Sequence, residues 1–202
     1  MFAGPVVSGR RRAAALAIGT DAEEWGVIRS ACLDDLSALG DIERAAGAAF
    51  GHLGMAAVAD AEPLPVSKLT GFQADGRAWV VVDDTDVPVA YLLVEMVDGN
   101  GHVEQVSVHP DHARRGLGRT LLDAADRWAA RRGLPALTLT TYSDVPWNAP
   151  YYARLGFAIV AEGDLTEGLR RIREREEATG LAAWPRVVMR RPVAPVIDGP
   201  GP

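Results

Sequence analysis

The sequence predicts an α/β domain built on a mixed, mostly antiparallel sheet flanked by helices. Three observations carry that expectation. Short runs rich in Val, Leu, Thr and aromatic residues recur between residues 78 and 190, bounded by Gly, Pro and Asp clusters, as strands are. Two of these runs, 87–97 and 102–108, are separated by Asp98-Gly99-Asn100-Gly101, a hairpin turn sequence that makes them antiparallel. The runs 102–108 and 136–142 enclose an amphipathic helix, and a helical crossover of that kind joins parallel strands.

The elements follow in order. A first strand is expected at residues 25–32, after which Asp34 or Asp35 caps a helix whose Leu36, Leu39, Ile42, Ala46 and Phe50 form one apolar face. Residues 51–65 contain Gly51, Gly54, Pro63 and Pro65 and read as a loop with at most a helical turn, followed by a short helix near 65–74. A strand at 78–82 and a turn at Asp83-Asp84-Thr85-Asp86 lead into the hairpin. The crossover helix spans 117–132, turns Leu121, Leu122, Ala125, Trp128 and Ala129 inward, and stops at Gly133. Asn148 as N-cap, Pro150 in the first turn and Gly156 as stop delimit a short helix before a strand at 157–160. The helix at 165–179 mixes Arg170, Arg171, Arg173, Glu174, Arg175, Glu176 and Glu177, the pattern of a solvated face, and 186–190 is a last strand. The domain occupies residues 25–192, between a tail at 1–24 and a Pro-rich tail at 193–202, both expected to be disordered.

Composition narrows the function classes. A hydrophobic fraction of 48% allows a substantial core, and no run is long and apolar enough to cross a membrane. Arg10-Arg11-Arg12 precedes an apolar run too short for an export signal. The formal net charge of -6 disfavours a nucleic-acid partner and favours a cationic or amine one. Cys32 is the single cysteine, which excludes an intrachain disulfide and a multi-cysteine metal cluster and suits a reducing cytoplasm.

The segment from Glu104 to Leu122 carries the most chemistry. A strand ends at Pro110, and a basic loop, Arg114-Arg115-Gly116-Leu117-Gly118-Arg119-Thr120, runs straight into a helix. The first N–H groups of a helix have no intrahelical partner and sit at the positive end of its dipole, so this order builds an anion site. Gly116 and Gly118 let the backbone approach a phosphate, and Arg114, Arg115 and Arg119 surround it with positive charge. A second segment, Trp147-Asn148-Ala149-Pro150-Tyr151-Tyr152-Ala153-Arg154-Leu155-Gly156-Phe157, lies downstream.

In that order, the two segments resemble the GNAT acetyltransferase superfamily over residues 26–192. The resemblance implies a GNAT-like sheet whose two central parallel strands splay apart, with acetyl-CoA as cosubstrate. Its pyrophosphate is then held by Arg114, Arg115, Gly116, Leu117, Gly118, Arg119 and Thr120, and its pantetheine arm lies along Val106, Ser107 and Val108. Asn148 opens the helix that closes the thioester end. The family's loop starts with Gln or Arg where this chain has Ala113, so the backbone amides carry the site, with Arg114 or Arg115 compensating.

The implied reaction is direct attack by a primary amine, of a small molecule or a peptide, on the thioester carbonyl. Tyr152 matches the family's general acid, and Tyr151 beside it is read as packing. Period-two geometry puts His102, Glu104, Val106 and Val108 on one face and Val103, Gln105 and Ser107 on the other. Glu104 is the first candidate base, directly or through water, with an equal reading as binder of the substrate cation; His102 replaces or relays it. A backbone N–H at Val106 serves the oxyanion. Residues 50–55, Tyr91 or Glu95, and 142–147 are expected to line the acceptor pocket. The alternative reading is another acyl donor, including aminoacyl groups on RNA, which the acidic balance disfavours, or a non-catalytic CoA-ester-binding module; a homodimer is compatible with either. A dinucleotide-binding fold is excluded because its glycines would open the first strand–helix unit.

Overall fold

The computed structural model describes residues 27–179 and 183–194. The N-terminal tail of the sequence reading lies outside them. So does the C-terminal one except Val193 and Ala194, and Val193 is tied down, donating its N–H to the Pro135 carbonyl at 3.1 Å.

Seven strands form one sheet among the described residues: β1 (Val27–Ser30), β2 (Ala78–Val82), β3 (Pro88–Val97), β4 (Asn100–Val108), β5 (Ala136–Tyr142), β6 (Ala158–Ile159) and β7 (Arg186–Pro192). Their order is β1-β2-β3-β4-β5-β7-β6, antiparallel throughout except β4 with β5. The helices are α1 (Leu36–Gly47), α2 (Ala56–Ala59), α3 (Val66–Ala74), α4 (Leu117–Arg131), α5 (Ala149–Arg154) and α6 (Glu167–Ala178). Asp98 and Gly99, with φ of 48° and 76°, make the tight β3–β4 turn, whose handedness matches the strand twist.

Strand alternation divides the core into two layers. Val81, Leu92, Val94, Val103, Leu137 and Leu139 meet Leu121, Leu122, Ala125 and Trp128 of α4. On the opposite face Val80, Val82, Tyr91 and Leu93 meet Leu36, Leu39 and Ile42 of α1 and Leu69 of α3. Farther along that second face Leu169 and Ile172 of α6 cover Val97 and Val188.

Four expectations are corrected. Asp35 stands at the N-cap of α1 but makes no side-chain capping bond to it; it ends a 3-10 turn, Leu33–Asp35, and its carboxylate accepts the Cys32 N–H at 2.7 Å and pairs with Arg29 at 2.6 Å. The helix through Phe50 ends at Gly47 and tightens into a 3-10 turn, Ala48–Leu53, which swings Phe50 off the α1 face. Asn148 makes no capping hydrogen bond; its Nδ2 donates to Thr141 Oγ1 at 2.7 Å and ties α5 to β5. The charges of α6 are not all solvated, since Glu176 is largely buried and accepts from Arg186 and Arg173 at 2.7 and 3.0 Å, and from the Thr140 hydroxyl.

Candidate active site

The site begins with the splay of two strands. β4 and β5 pair only where Gly101, His102 and Val103 face Leu137, Thr138 and Leu139. Close approach there requires Gly101, since a Cβ would stand 2.9 Å from Leu137 Cδ2. Beyond Val103, β4 runs on to Val108 beside β3 alone, and β5 runs on to Tyr142 beside β7 alone. The backbone edge of Val106, Ser107 and Val108 thus has no sheet partner on the β5 side.

A β-bulge marks the point of departure. Leu93 pairs with Gln105 and Val94 with Val103, so Glu104 is an extra residue in β4. A bulge bends its strand and sharpens its twist, which accounts for β4 leaving β5 there. It also shifts the side-chain frame. Val106 and Val108 pack into the α4-side core, whereas Ser107 pairs with Tyr91 and accepts a hydrogen bond from Gln105 Nε2 at 2.8 Å on the other side. The period-two assignment, which set Val106 and Val108 on the face of Glu104 and His102, is overturned by that one residue.

At the end of β4, Arg114 (φ 62°) and Gly116 (φ 77°) turn the chain into α4 through left-handed backbone. Gly116 occupies the N-cap without a side chain, and the Thr120 N–H to Gly116 carbonyl bond, 3.0 Å, opens the helical ladder. The amides of Leu117, Gly118 and Arg119 therefore precede the first intrahelical bond, as an anion cradle needs. Gly118 has a second reason to be glycine: its Cβ would stand 3.0 Å from the phenol oxygen of Tyr151. Tyr151, read from sequence as packing, does pack against the α4-side core, and its hydroxyl also reaches the start of α4, a contact nothing local in the sequence signals.

Tyr152 is half-buried on α5, with its ring edge-on to Tyr151 and Phe157 at 5.5 and 5.8 Å. Burial pushes its phenol above the ordinary value, so it stays protonated well into the alkaline range and can donate a proton.

The base candidates have different surroundings. His102 is 1% exposed and its Nδ1 lies 3.0 Å from Thr138 Oγ1; burial lowers its pKa to about 4 and keeps the imidazole neutral. Glu104 is half-buried and has no hydrogen bond or ion pair among the described residues. Burial, then the like charge of Glu95, raises its carboxyl above the usual range, against the opposing pull of Arg175 and Lys68.

Tyr91 does not line a pocket. It is 0% exposed and donates its hydroxyl to Glu43 Oε2 at 2.6 Å; the Leu64 N–H binds the same carboxylate. Glu43, overlooked in the sequence because its partners are remote, thereby joins α1, β3 and the loop before α3. Tyr91→Phe leaves the half-buried Glu43 carboxylate short of one donor and should cost about 1 kcal/mol, read as a fall in thermal midpoint.

Phe50 sits edge-on to Tyr142 at 5.6 Å and to Trp147 at 5.7 Å, so two of the segments expected at the acceptor pocket do meet. Arg186, paired with Glu176, stacks 4.4 Å from the Tyr142 ring centroid.

A splayed parallel pair with an uncapped helix N-terminus at its mouth defines a class of fold, and similarity to known proteins gives that class its name. Residues 48–157 match the profile of the Acetyltransferase (GNAT) family, a span holding the splay, the loop and Tyr152. The chain belongs to the GNAT acetyltransferase family. It is 26% identical over 84 residues to the Bacillus subtilis (strain 168) protein named "Putative acetyltransferase", spanning 55% of that protein and 42% of this chain. The chain thus spans about half the length of the curated relative it matches.

Solved structures share the fold. The ribosomal-protein-S18-alanine N-acetyltransferase of Escherichia coli superposes with a TM-score of 0.57 at 21% identity, covering 85% of this chain and 96% of that one. PaiA N-acetyltransferase of Thermoplasma acidophilum, solved with coenzyme A, gives 0.59 at 13% identity over 82% and 97%. N-acetylglutamate synthase of Neisseria gonorrhoeae, solved with coenzyme A and N-acetyl-glutamate, gives 0.64 at 16% identity over 86% and 36%.

Proposed function

We propose that the protein is an N-acetyltransferase that moves an acetyl group from acetyl-CoA to a primary amine of a small molecule or peptide. The observation that carries this reading is the gap between β4 and β5. It has the uncapped α4 amides at its mouth, Tyr152 on the α5 side and the hydrogen-bond-free carboxyl of Glu104 on the opposite face.

The residues present fit the cosubstrate. The amides of Leu117, Gly118 and Arg119, with the Arg114, Arg115 and Arg119 side chains, would hold the pyrophosphate, and they need no side chain at Ala113. The unpaired edge of Val106, Ser107 and Val108 offers sheet-like hydrogen bonds to the pantetheine amides. Asn148 contributes by fixing α5 through Thr141.

Chemistry then needs three proton and charge events. Glu104 takes a proton from the acceptor ammonium, directly or through water. The free amine attacks the thioester carbonyl, and a β4 amide at Val106 stabilises the oxyanion. As the intermediate collapses, the C–S bond breaks while the new N–C bond remains; the second proton of the nitrogen and the one held by Glu104 pass to solvent, and Tyr152 gives its proton to the departing thiolate and regains one from solvent. His102, neutral and bonded to Thr138, supports the strand beneath Glu104.

Acetyl-CoA should raise the thermal midpoint; at a hundredfold excess over its dissociation constant the stabilisation is about 2.7 kcal/mol. Thiol release from acetyl-CoA across an amine library then tests transfer. No midpoint shift with any CoA ester would sink the reading.

Glu104→Gln separates base from structure. A raised carboxyl is a competent base only above its raised pKa, so the wild-type rate should fall with acid at a pH above the ordinary carboxylate range, and the variant should lose that limb. Linkage gives a second sign. Because the folded pKa lies above the unfolded one, the carboxyl favours folding at low pH and loses that contribution as pH rises through the folded value. At neutral pH Glu104→Gln should therefore slow turnover, leave acetyl-CoA affinity unchanged and raise the thermal midpoint. A variant that changes only the acceptor KM would make Glu104 a binder.

A further inference from the structure

We infer, resting on the amine-transfer reading above, that the acceptor is a monoamine on an apolar stem, with its ammonium at Glu104 and its stem against Phe50 and Trp147. The thioester must be approached from the face opposite α4, because α4 and its core fill the other. On the approach face Thr138, Thr140 and Tyr142 alternate along β5, with Leu137 and Leu139 turned toward α4. On that face α6 spans both strands: Glu176 accepts from Thr140 and from Arg186, whose guanidinium lies over the Tyr142 ring, while Arg175 reaches Glu95, the β3 partner of His102, at 4.0 Å.

What is left open there is chemically two-sided. Arg186 is engaged by Glu176 and the Tyr142 ring, so it does not offer a free cation. Phe50 bridges Tyr142 and Trp147, backed by Met55, Val58, Val145 and Trp184, while Trp147 and Leu53 remain 43% and 45% exposed. Toward β4, Glu95 is paired with Arg175 at 4.0 Å, whereas the Glu104 carboxyl has no hydrogen bond or ion pair among the described residues. An ammonium suits that unpartnered carboxylate and a carboxylated acceptor does not. The far end of a diamine would lie against rings and Leu53, since Asp144, the carboxylate of residues 142–147, is solvent-exposed and accepts from the Ser143 hydroxyl. An alkyl or aryl stem gains contact along it.

Thiol release should be followed with 2-phenylethylamine, ethanolamine and putrescine as acceptors. The expected kcat/KM for 2-phenylethylamine exceeds both others by ~10-fold or more, the scale that a few apolar groups contribute in a pocket. Trp147→Ala should collapse the ratio between 2-phenylethylamine and ethanolamine, chiefly through KM, and Trp147→Phe should restore most of it. A preference for ethanolamine or putrescine, or an unaltered ratio in Trp147→Ala, overturns this inference alone. Absence of thiol release with all three, while acetyl-CoA still shifts the thermal midpoint, overturns the amine-transfer reading and this inference with it.

Discussion

Replacing Tyr152 with phenylalanine is expected to lower turnover about 10²-fold, the usual range for loss of a general acid. The ring contacts to Tyr151 and Phe157 survive the change, so the thermal midpoint should hardly move. Acetyl-CoA affinity should also persist, because the phosphate loop and the β4 edge are untouched. Burial keeps the wild-type phenol protonated past the ordinary phenol range, so no alkaline limb from its ionisation should appear at moderately basic pH. The deficit should shrink with an acetyl donor whose leaving group is a stable anion and needs no proton. Wild-type turnover in the variant on acetyl-CoA would mean that solvent protonates the thiolate and that Tyr152 is there to pack.

The parts of the fold legible in the sequence are those written in local periodicity. The start of α4 at Leu117 and the full extent of β5 follow from spacing and from the punctuation at Gly116 and Gly133. The parallel β4–β5 pair follows from the helix between them, and the left-handed turn into α4 from Gly116. What escaped depends on partners. Glu104 looks like an ordinary alternating residue, and only the register of β3 against β4 shows that it is extra. Glu43 and Tyr91 meet from positions far apart in the chain, so no window contains their bond. The inward charge of Glu176 is invisible without Arg186 and Thr140 beside it. At the gap, motif spacing marked out Tyr152 and the loop before α4, while the different surroundings of Glu104 and His102 arise from burial and from charges on other elements, which no sequence window contains.

Gly118→Val should abolish the thermal shift given by acetyl-CoA. Two mechanisms converge at this residue, and they can be told apart. The side chain would project at the first turn of α4, beside the amides proposed to face the pyrophosphate, and its Cβ would stand 3.0 Å from the Tyr151 hydroxyl. Backbone strain is absent, since among the glycines of the loop Gly116 alone has a positive φ. The apo midpoint should therefore change little, while the stabilisation by ligand, about 2.7 kcal/mol at a hundredfold excess, disappears. For a domain of this size that is a lost shift of roughly 5–10 °C. Gly118→Ala is the discriminating variant, because its methyl reaches Tyr151 but scarcely reaches a phosphate. If displacement of the phenol weakens binding, Tyr151→Phe in the Gly118→Ala background removes the clashing oxygen and restores the shift. If the methyl itself bars the pyrophosphate, the double variant stays as weak as the single one. Undiminished binding in Gly118→Val would place the pyrophosphate away from the α4 amides and remove the physical basis for the loop's role.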